Sequence, residues 1–174
     1  MNQKRMEKIY FHIKARACGW LSNFARYPIV VGGQEWPTSE HYYQAQKFTN
    51  APEWMEAIRA NLPPYGAWRM GRSPDHPRRP DWDSVKDEVM RVAVRAKFSQ
   101  HSELQLLLLA TGDAELVEHA PHDAYWGDGG DGRGQNMLGR VLMEVRMALL
   151  TADNNGLGTF SGCSLPSSHD VKCG

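Results

Sequence analysis

Two runs of this chain repeat their apolar side chains at three- and four-residue steps, and that pattern most limits what it can fold into. Val85, Val89, Val92, Ala93 and Ala96 fall on one face of a helix from about Ser84 to Phe98. Leu138, Val141, Leu142, Val145 and Leu149 do the same from about Asn136 to Leu150. Each stripe has to be covered by other elements, which favours a mostly helical domain. Ser84 with Asp87 resembles a capping box, Asp replacing the longer Glu. Ser102–Ala110 is a further helix, stopped by Gly112, and Pro52–Asn61 another, with Trp54, Ile58 and Leu62 at helical spacing before Pro63-Pro64. Thr38 or Ser39 can cap a helix running to about Asn50, with Glu40 in its first turn. The stretch Ala67–Asp81, rich in Arg and Pro, is expected to be irregular.

Strand signals sit near the N-terminus. Ile9, Phe11 and Ile13 alternate with polar neighbours, and Tyr27–Val31, Gly32-Gly33, Gln34–Trp36 reads as a hairpin, because paired glycines supply the positive φ angles of a tight primed turn. Strand content should end near Trp36, with Leu116-Val117 only a short apolar piece. The expected class is α+β, predominantly helical with a small N-terminal antiparallel sheet. One domain is expected over residues 1–150, with residues 151–174 a flexible tail poor in large apolar groups.

Twenty Lys and Arg balance twenty Asp and Glu, so no global field draws the chain onto a polyanion. The longest apolar stretch, Leu106–Ala110, is too short to span a bilayer, and the first twenty residues lack the apolar centre of a secretory signal. A cytoplasmic location without membrane contact is the expectation. Cys18, Cys163 and Cys173 fit neither a disulfide framework nor zinc knuckles and are read as free thiols.

Gly127-Asp128-Gly129-Gly130-Asp131-Gly132 matches G-x-G-x-x-G in letters, but no buried strand opens it and only one helix follows. A calcium loop counted from Asp128 would place Gly139 where a bidentate Glu is needed. What remains is a loop of exposed amides beside Trp126 and Asp128, opening onto the Asn136 helix, suited to phosphate or sugar, or else a plain surface turn. In Trp36–Phe48, Glu40 and Lys47 lie seven residues apart, two helical turns, and share a face with Tyr43 and Gln44 between them. Roughly 10 Å apart along the axis, they can flank a bound sugar; a solvated amphipathic helix has the same spacing. His41, His119 and His122 lack metal-ligand spacing, so neither metal nor cofactor is expected. Arg69, Arg72, His76, Arg78 and Arg79 form a basic cluster that can hold a phosphate or remain solvated. In Trp20-Leu21-Ser22-Asn23-Phe24 an amide and two aromatics can stack on and read a flat base, or serve as core.

Taken together, Leu21–Phe24, Trp36–Tyr42, Gln44–Phe48, Met70-Gly71-Arg72 and Tyr125–Gly130 leading into Asn136, Leu138 and Gly139 resemble the YbiA-like, or NADAR (NAD- and ADP-ribose-associated), proteins from about Phe11 to Leu150. The resemblance implies a YbiA-like fold and N-glycosidase activity on ribosylated bases. Members of the YbiA type cleave early riboflavin-pathway intermediates, ribosylaminopyrimidine 5′-phosphates, and are regarded as acting on damage-prone metabolites; Trp82–Lys86 and the glycine loop look more like that type. Other members remove ADP-ribose from guanine, the one case in which a nucleic-acid partner is expected. A module that binds ADP-ribose without turnover is a third reading. Cleaving a ribosyl C–N bond passes through an oxocarbenium-like state that a carboxylate stabilises, which makes Glu40 the candidate acid/base. The resemblance makes Lys47 the candidate nucleophile, forming a Schiff base at the anomeric carbon. Asp128 is a candidate for ribose hydroxyls or proton transfer, Trp126 and Phe24 for sandwiching the base, Asn23 for its edge and Arg72 for the 5′-phosphate. Tyr43, Gln44, Gly127, Gly129 and Asn136 complete the candidate substrate contacts.

Overall fold

The computed structural model describes residues 7–12, 18–61 and 63–155. The chain runs β1 (Lys8–Phe11), β2 (Ile29–Val31), β3 (Gln34–Trp36), α1 (Ser39–Ala45), α2 (Pro52–Ala60), α3 (Pro64–Met70), α4 (Trp82–Gln100), α5 (Ser102–Ala110), β4 (Glu115–Glu118) and α6 (Met137–Asn155), with 3-10 turns at Gly19–Leu21 and Gln46–Phe48. The class is α+β and predominantly helical, as expected. Two compact units emerge: Asn23–Gln100 forms one, and residues up to Ser22 join those from His101 onward in the other.

In the Asn23–Gln100 unit, β2 and β3 pair antiparallel with Val31 opposite Gln34, and Gly32 and Gly33 take φ of +61° and +77° at the turn. Helix α1 packs against α2, α3 and α4. The core around it joins Ile29, Trp36, Tyr42, Phe48 and Ile58 with alanines 45, 67, 93 and 96, whose small side chains let the helices approach. Each large apolar group buried there contributes roughly 1.5–3 kcal/mol. Gln100 holds the free edge of β2, exchanging hydrogen bonds of 2.8 Å with both Val30 N and Val30 O.

Two expectations change here. The stretch expected to be irregular begins inside α3, because Pro64 occupies the first helical turn, where its missing N–H costs nothing. Glycine at 66 admits the Asn61 side chain, which a Cβ there would overlap. Helix α4 starts at Trp82, two residues before Ser84, whose hydroxyl donates to Asp81 O from inside the first turn at 2.7 Å instead of capping it. Its buried surface also extends past the predicted stripe to Met90, Val94, Phe98 and Lys97.

In the other unit, β1 and β4 pair in parallel, Ile9 opposite Leu116. Strand content therefore does not end at Trp36: Leu116-Val117 forms a strand, buried on both faces as parallel strands are, so its run shows no alternation. Helix α6 packs on β4 so closely that a Cβ at Gly139 would overlap Leu116 O. Arg146, buried on α6, donates to Thr111 Oγ1 (2.6 Å) and Ala114 O (3.0 Å). Helix α6 runs five residues past Leu150. Cys18 is fully buried and disulfide-bonded, not a free thiol; spacing along the chain carries no information on which cysteines meet in the fold. Cys163, Cys173, Ile13, Leu62 and the tail beyond 155 lie outside the described residues. No described helix is long and apolar enough to cross a membrane.

Candidate active site

Thr38 opens α1: its hydroxyl accepts the His41 amide and pairs with His41 Nδ1 at 2.8 Å, while His41 Nε2 donates to Asn61 O at 2.6 Å. Both ring nitrogens are thereby committed to holding the helix start. Burial, only partly offset by that carbonyl, lowers the His41 pKa, consistent with a neutral structural imidazole. Every residue of α1 is buried, so Glu40, Tyr43 and Gln44 are not the solvated face that periodicity alone allowed.

Lys47 lies on the 3-10 turn that follows. Turning by about 100° per α residue and about 120° per 3-10 residue still leaves it on the side of Glu40. Its side chain is buried; Nζ donates to Gly71 O at 3.2 Å and sits 5.4 and 5.7 Å from the ring centres of Tyr43 and Trp82, which meet edge to face. Burial pulls the Lys47 pKa down to about 8; the Glu40 carboxylate opposes this, and the charges of Arg78 and Arg72 reinforce it. The amine is thus dry, under an aromatic roof and neutral in a useful fraction near neutral pH.

Glu40 Oε1 accepts Gln44 Nε2 at 2.7 Å, while the buried Gln44 Oε1 and Ser39 Oγ have no partner among the described residues. Gly71 presses on Gln44 so tightly that a Cβ there would overlap the carboxamide. Asn23 belongs to the same group: its carbonyl accepts the Glu40 amide at 3.2 Å and its Nδ2 donates to Met90 Sδ at 3.1 Å. Phe24 is half-buried and Arg72 exposed, its guanidinium 4.2 Å over the Trp68 ring. The unit thus assembles Asn23, Glu40, Tyr43, Gln44 and Lys47, with Arg72 close enough to act on the amine by its charge. Sequence reasoning missed Trp82 as a site residue; an aromatic at a helix start carries no local sign that it covers an amine thirty-five positions earlier. A second buried lysine, Lys97 on α4, was not anticipated either; its Nζ lies 5.6 Å from the Tyr27 ring centre and burial lowers its pKa to about 7.

Asp128, Trp126, Gly127, Gly129 and Asn136 belong to the other unit. Asp128 Oδ1 accepts the amides of Ala120 (3.1 Å) and Gly130 (2.8 Å), and Oδ2 takes His119 Nδ1 at 2.9 Å. Burial pushes this carboxyl up, but the three hydrogen bonds outweigh it and hold it below the usual range. The backbone closes around it, Gly134 N bonding Asp128 O and Asn136 N bonding Gly127 O. The amides expected to be open to a ligand are in good part engaged within the loop, since the carboxylate they surround turns inward. Gly129 needs its φ of +72°, and Gly127 is walled by Ala120 and Glu118 O. Asn136 sits at φ +51° with its carboxamide bridging Leu116 O and Glu118 N of β4. Trp126 is half-buried against Tyr125, its amide held by Asp123 Oδ1.

Residues 10–150 match the NADAR domain model. The chain belongs to the NADAR domain family. Within it, the N-glycosidase YbiA of Escherichia coli is 55% identical over 141 residues, 81% of this chain and 88% of that protein. An N-glycosidase of Nostoc punctiforme is 42% identical, covering 79% and 90%. A riboflavin biosynthesis protein of Vibrio vulnificus is 48% identical over 82% of this chain but only 39% of its own length. The NMR structure of E. coli YbiA superimposes with a TM-score of 0.79 at 49% identity, covering 89% of this chain and 93% of that one. This NADAR domain therefore stands among N-glycosidases, hydrolases that cut glycosyl bonds.

Proposed function

We propose that the chain hydrolyses the N-glycosidic bond of ribosylaminopyrimidine 5′-phosphates, early intermediates of riboflavin synthesis. The observation that carries the reading is the buried Lys47 amine, held near pH 8 beside Glu40 and beneath Tyr43 and Trp82. The riboflavin biosynthesis protein among the relatives supports the substrate class. Neutral Lys47 attacks the anomeric carbon as the C–N bond to the base breaks, and Glu40 delivers a proton to the departing nitrogen. Opening of the sugar ring leaves a protonated Schiff base between lysine and ribose 5-phosphate, which water hydrolyses with Glu40 as base, restoring the amine. Gln44 fixes the carboxylate, Asn23 stays beside it, and the Arg72 guanidinium receives the 5′-phosphate. Asp128 acts by keeping its loop in shape, and Asn136 by bracing β4.

Incubation with chelator and either the ribosylaminopyrimidine phosphate or ADP-ribosylated guanosine tests this, with free base and ribose 5-phosphate or ADP-ribose as readouts. Release from the pyrimidine, and a borohydride-trapped pentose phosphate on Lys47, are expected. Release from guanosine alone would make the chain an ADP-ribosylation reverser; release from neither would make it a binding module.

A further inference from the structure

The carbonyl that takes Lys47 belongs to Gly71, whose neighbours Met70 and Arg72 line a cavity of about 740 Å³ within the Asn23–Gln100 unit. None of Glu40, Tyr43, Gln44 or Lys47 lines it. Its volume lies in the range of small-molecule sites. Three aromatic rings wall it, and two of them form a platform: Tyr65 and Trp68 stack 5.2 Å apart at 18°, and Arg72 lies over Trp68. Tyr65 keeps 57% of its surface exposed, so its ring is open to a stacking partner. Trp54 stands in the same wall, stacked on His76 at 4.1 Å, with a buried indole N–H that has no acceptor among the described residues.

Charge gives the cavity a sign. Arg69 and Arg72 line it, and the Arg69 guanidinium has no ion pair or hydrogen bond among the described residues. Its single acidic residue, Asp75, is engaged by the Ser73 hydroxyl at 2.7 Å. Stacking surface beside the Arg69 guanidinium fork favours a flat ring that carries an oxyanion over either part alone.

We propose that this cavity is a second binding site, which takes a planar aromatic anion of the aryl phosphate class, its ring against Tyr65 and Trp68 and its oxyanion on Arg69, leaving Arg72 to the substrate phosphate. The claim concerns binding and does not depend on the glycosidase reading.

Isothermal titration of the full chain with 1-naphthyl phosphate tests it, with inorganic phosphate and 1-naphthol as the separate halves. Saturable binding of one probe per chain is expected, with each half at least about tenfold weaker, or about 1.4 kcal/mol. Tyr65→Ala and Arg69→Ala, both exposed positions, should each weaken the probe at least about fivefold with unchanged melting temperature. Lys47→Met should bind as wild type. Absence of saturable binding, equal affinity for inorganic phosphate, or retention by Tyr65→Ala and Arg69→Ala together with loss in Lys47→Met would each overturn the proposal. The last pattern would put the probe at the lysine instead.

Discussion

The α1 region and the glycine-rich loop are both dense in polar side chains, yet they treat them oppositely. Around α1 the side chains are buried and incompletely satisfied: Gln44 Oε1 and Ser39 Oγ lack partners among the described residues, and Lys47 reaches Gly71 O at 3.2 Å. In the loop, Asp128 accepts three short hydrogen bonds and Asn136 uses both ends of its carboxamide. A buried group left with unused hydrogen-bonding capacity raises the free energy of the folded state, and a ligand or reaction can recover it. A fully satisfied group stabilises its surroundings and has little left to offer. Reactivity should therefore concentrate at α1 and architecture in the loop.

The strongest break of that contrast is Lys47→Met. Turnover should fall at least about a hundredfold, the scale of losing a nucleophile, and Glu40→Gln should match it. Stability should not fall with Lys47→Met below pH 8, because an apolar side chain replaces a cation whose burial is unfavourable. Near wild-type turnover in either variant, measured by base release, would remove that residue from the chemistry.

The pH profile comes next in size. If the neutral amine attacks beside an ionised Glu40, which passes the proton shed by the attacking amine to the leaving nitrogen, kcat/KM should climb about tenfold from pH 7 to a plateau above about 9, the neutral fraction at pH 7 being about one tenth for a group titrating near 8; a flat profile over that range would mean that Glu40 must enter protonated. Stability should move with it: between about 8 and 10.5 the unfolded chain keeps a proton that folded Lys47 has released, so Lys47 makes unfolding costlier as pH rises through that window. Urea titrations at pH 8 and 10 should show the gain in wild type and a smaller one in Lys47→Met. The remainder reports on Lys97, whose corresponding window opens near 7.

Asp128→Asn tests the other side. It weakens the hydrogen bonds from His119, Ala120 and Gly130 and should cost about 2–3 kcal/mol of stability, seen as a shifted urea midpoint. The surviving folded fraction should keep kcat within a few-fold. A hundredfold drop in kcat with an unchanged midpoint would reverse the contrast between the two regions.

How far these properties could be read from the letters depended on whether their cause was local. The stripes of α4 and α6, the Gly32-Gly33 turn and the Thr38 cap rest on neighbours a few residues apart and were legible. Strand β4 was not, because its partner lies more than a hundred residues away and a fully buried parallel strand lacks alternation. Helix α3 was hidden by its prolines, which read as breakers although Pro64 starts a helix. In the candidate site, spacing put Glu40 and Lys47 on one side of the helix but left their burial open, and only the family resemblance gave Lys47 a role; Thr38 was legible from its cap. Trp82 over the amine, Gly71 against Gln44 and the inward turn of Asp128 arise only when distant segments meet.

The finest test of the loop separates two terms at one residue. Asn136 occupies left-handed backbone at φ +51°, which a side chain with a Cβ adopts at a cost of about 1–2 kcal/mol and Asn tolerates better than most. Its carboxamide also donates to Leu116 O at 2.8 Å and receives Glu118 N at 3.0 Å, pairing with β4 as a neighbouring strand would. Asn136→Gly loses the two hydrogen bonds but relaxes the backbone; Asn136→Ala loses the bonds and meets the backbone cost without Asn's compensation. Both should be less stable than wild type, with Ala below Gly by about 1 kcal/mol, and KM for the substrate unchanged in each. Equal stabilities would mean that the backbone term is negligible, whereas a raised KM at unchanged stability would return Asn136 from architecture to substrate contact.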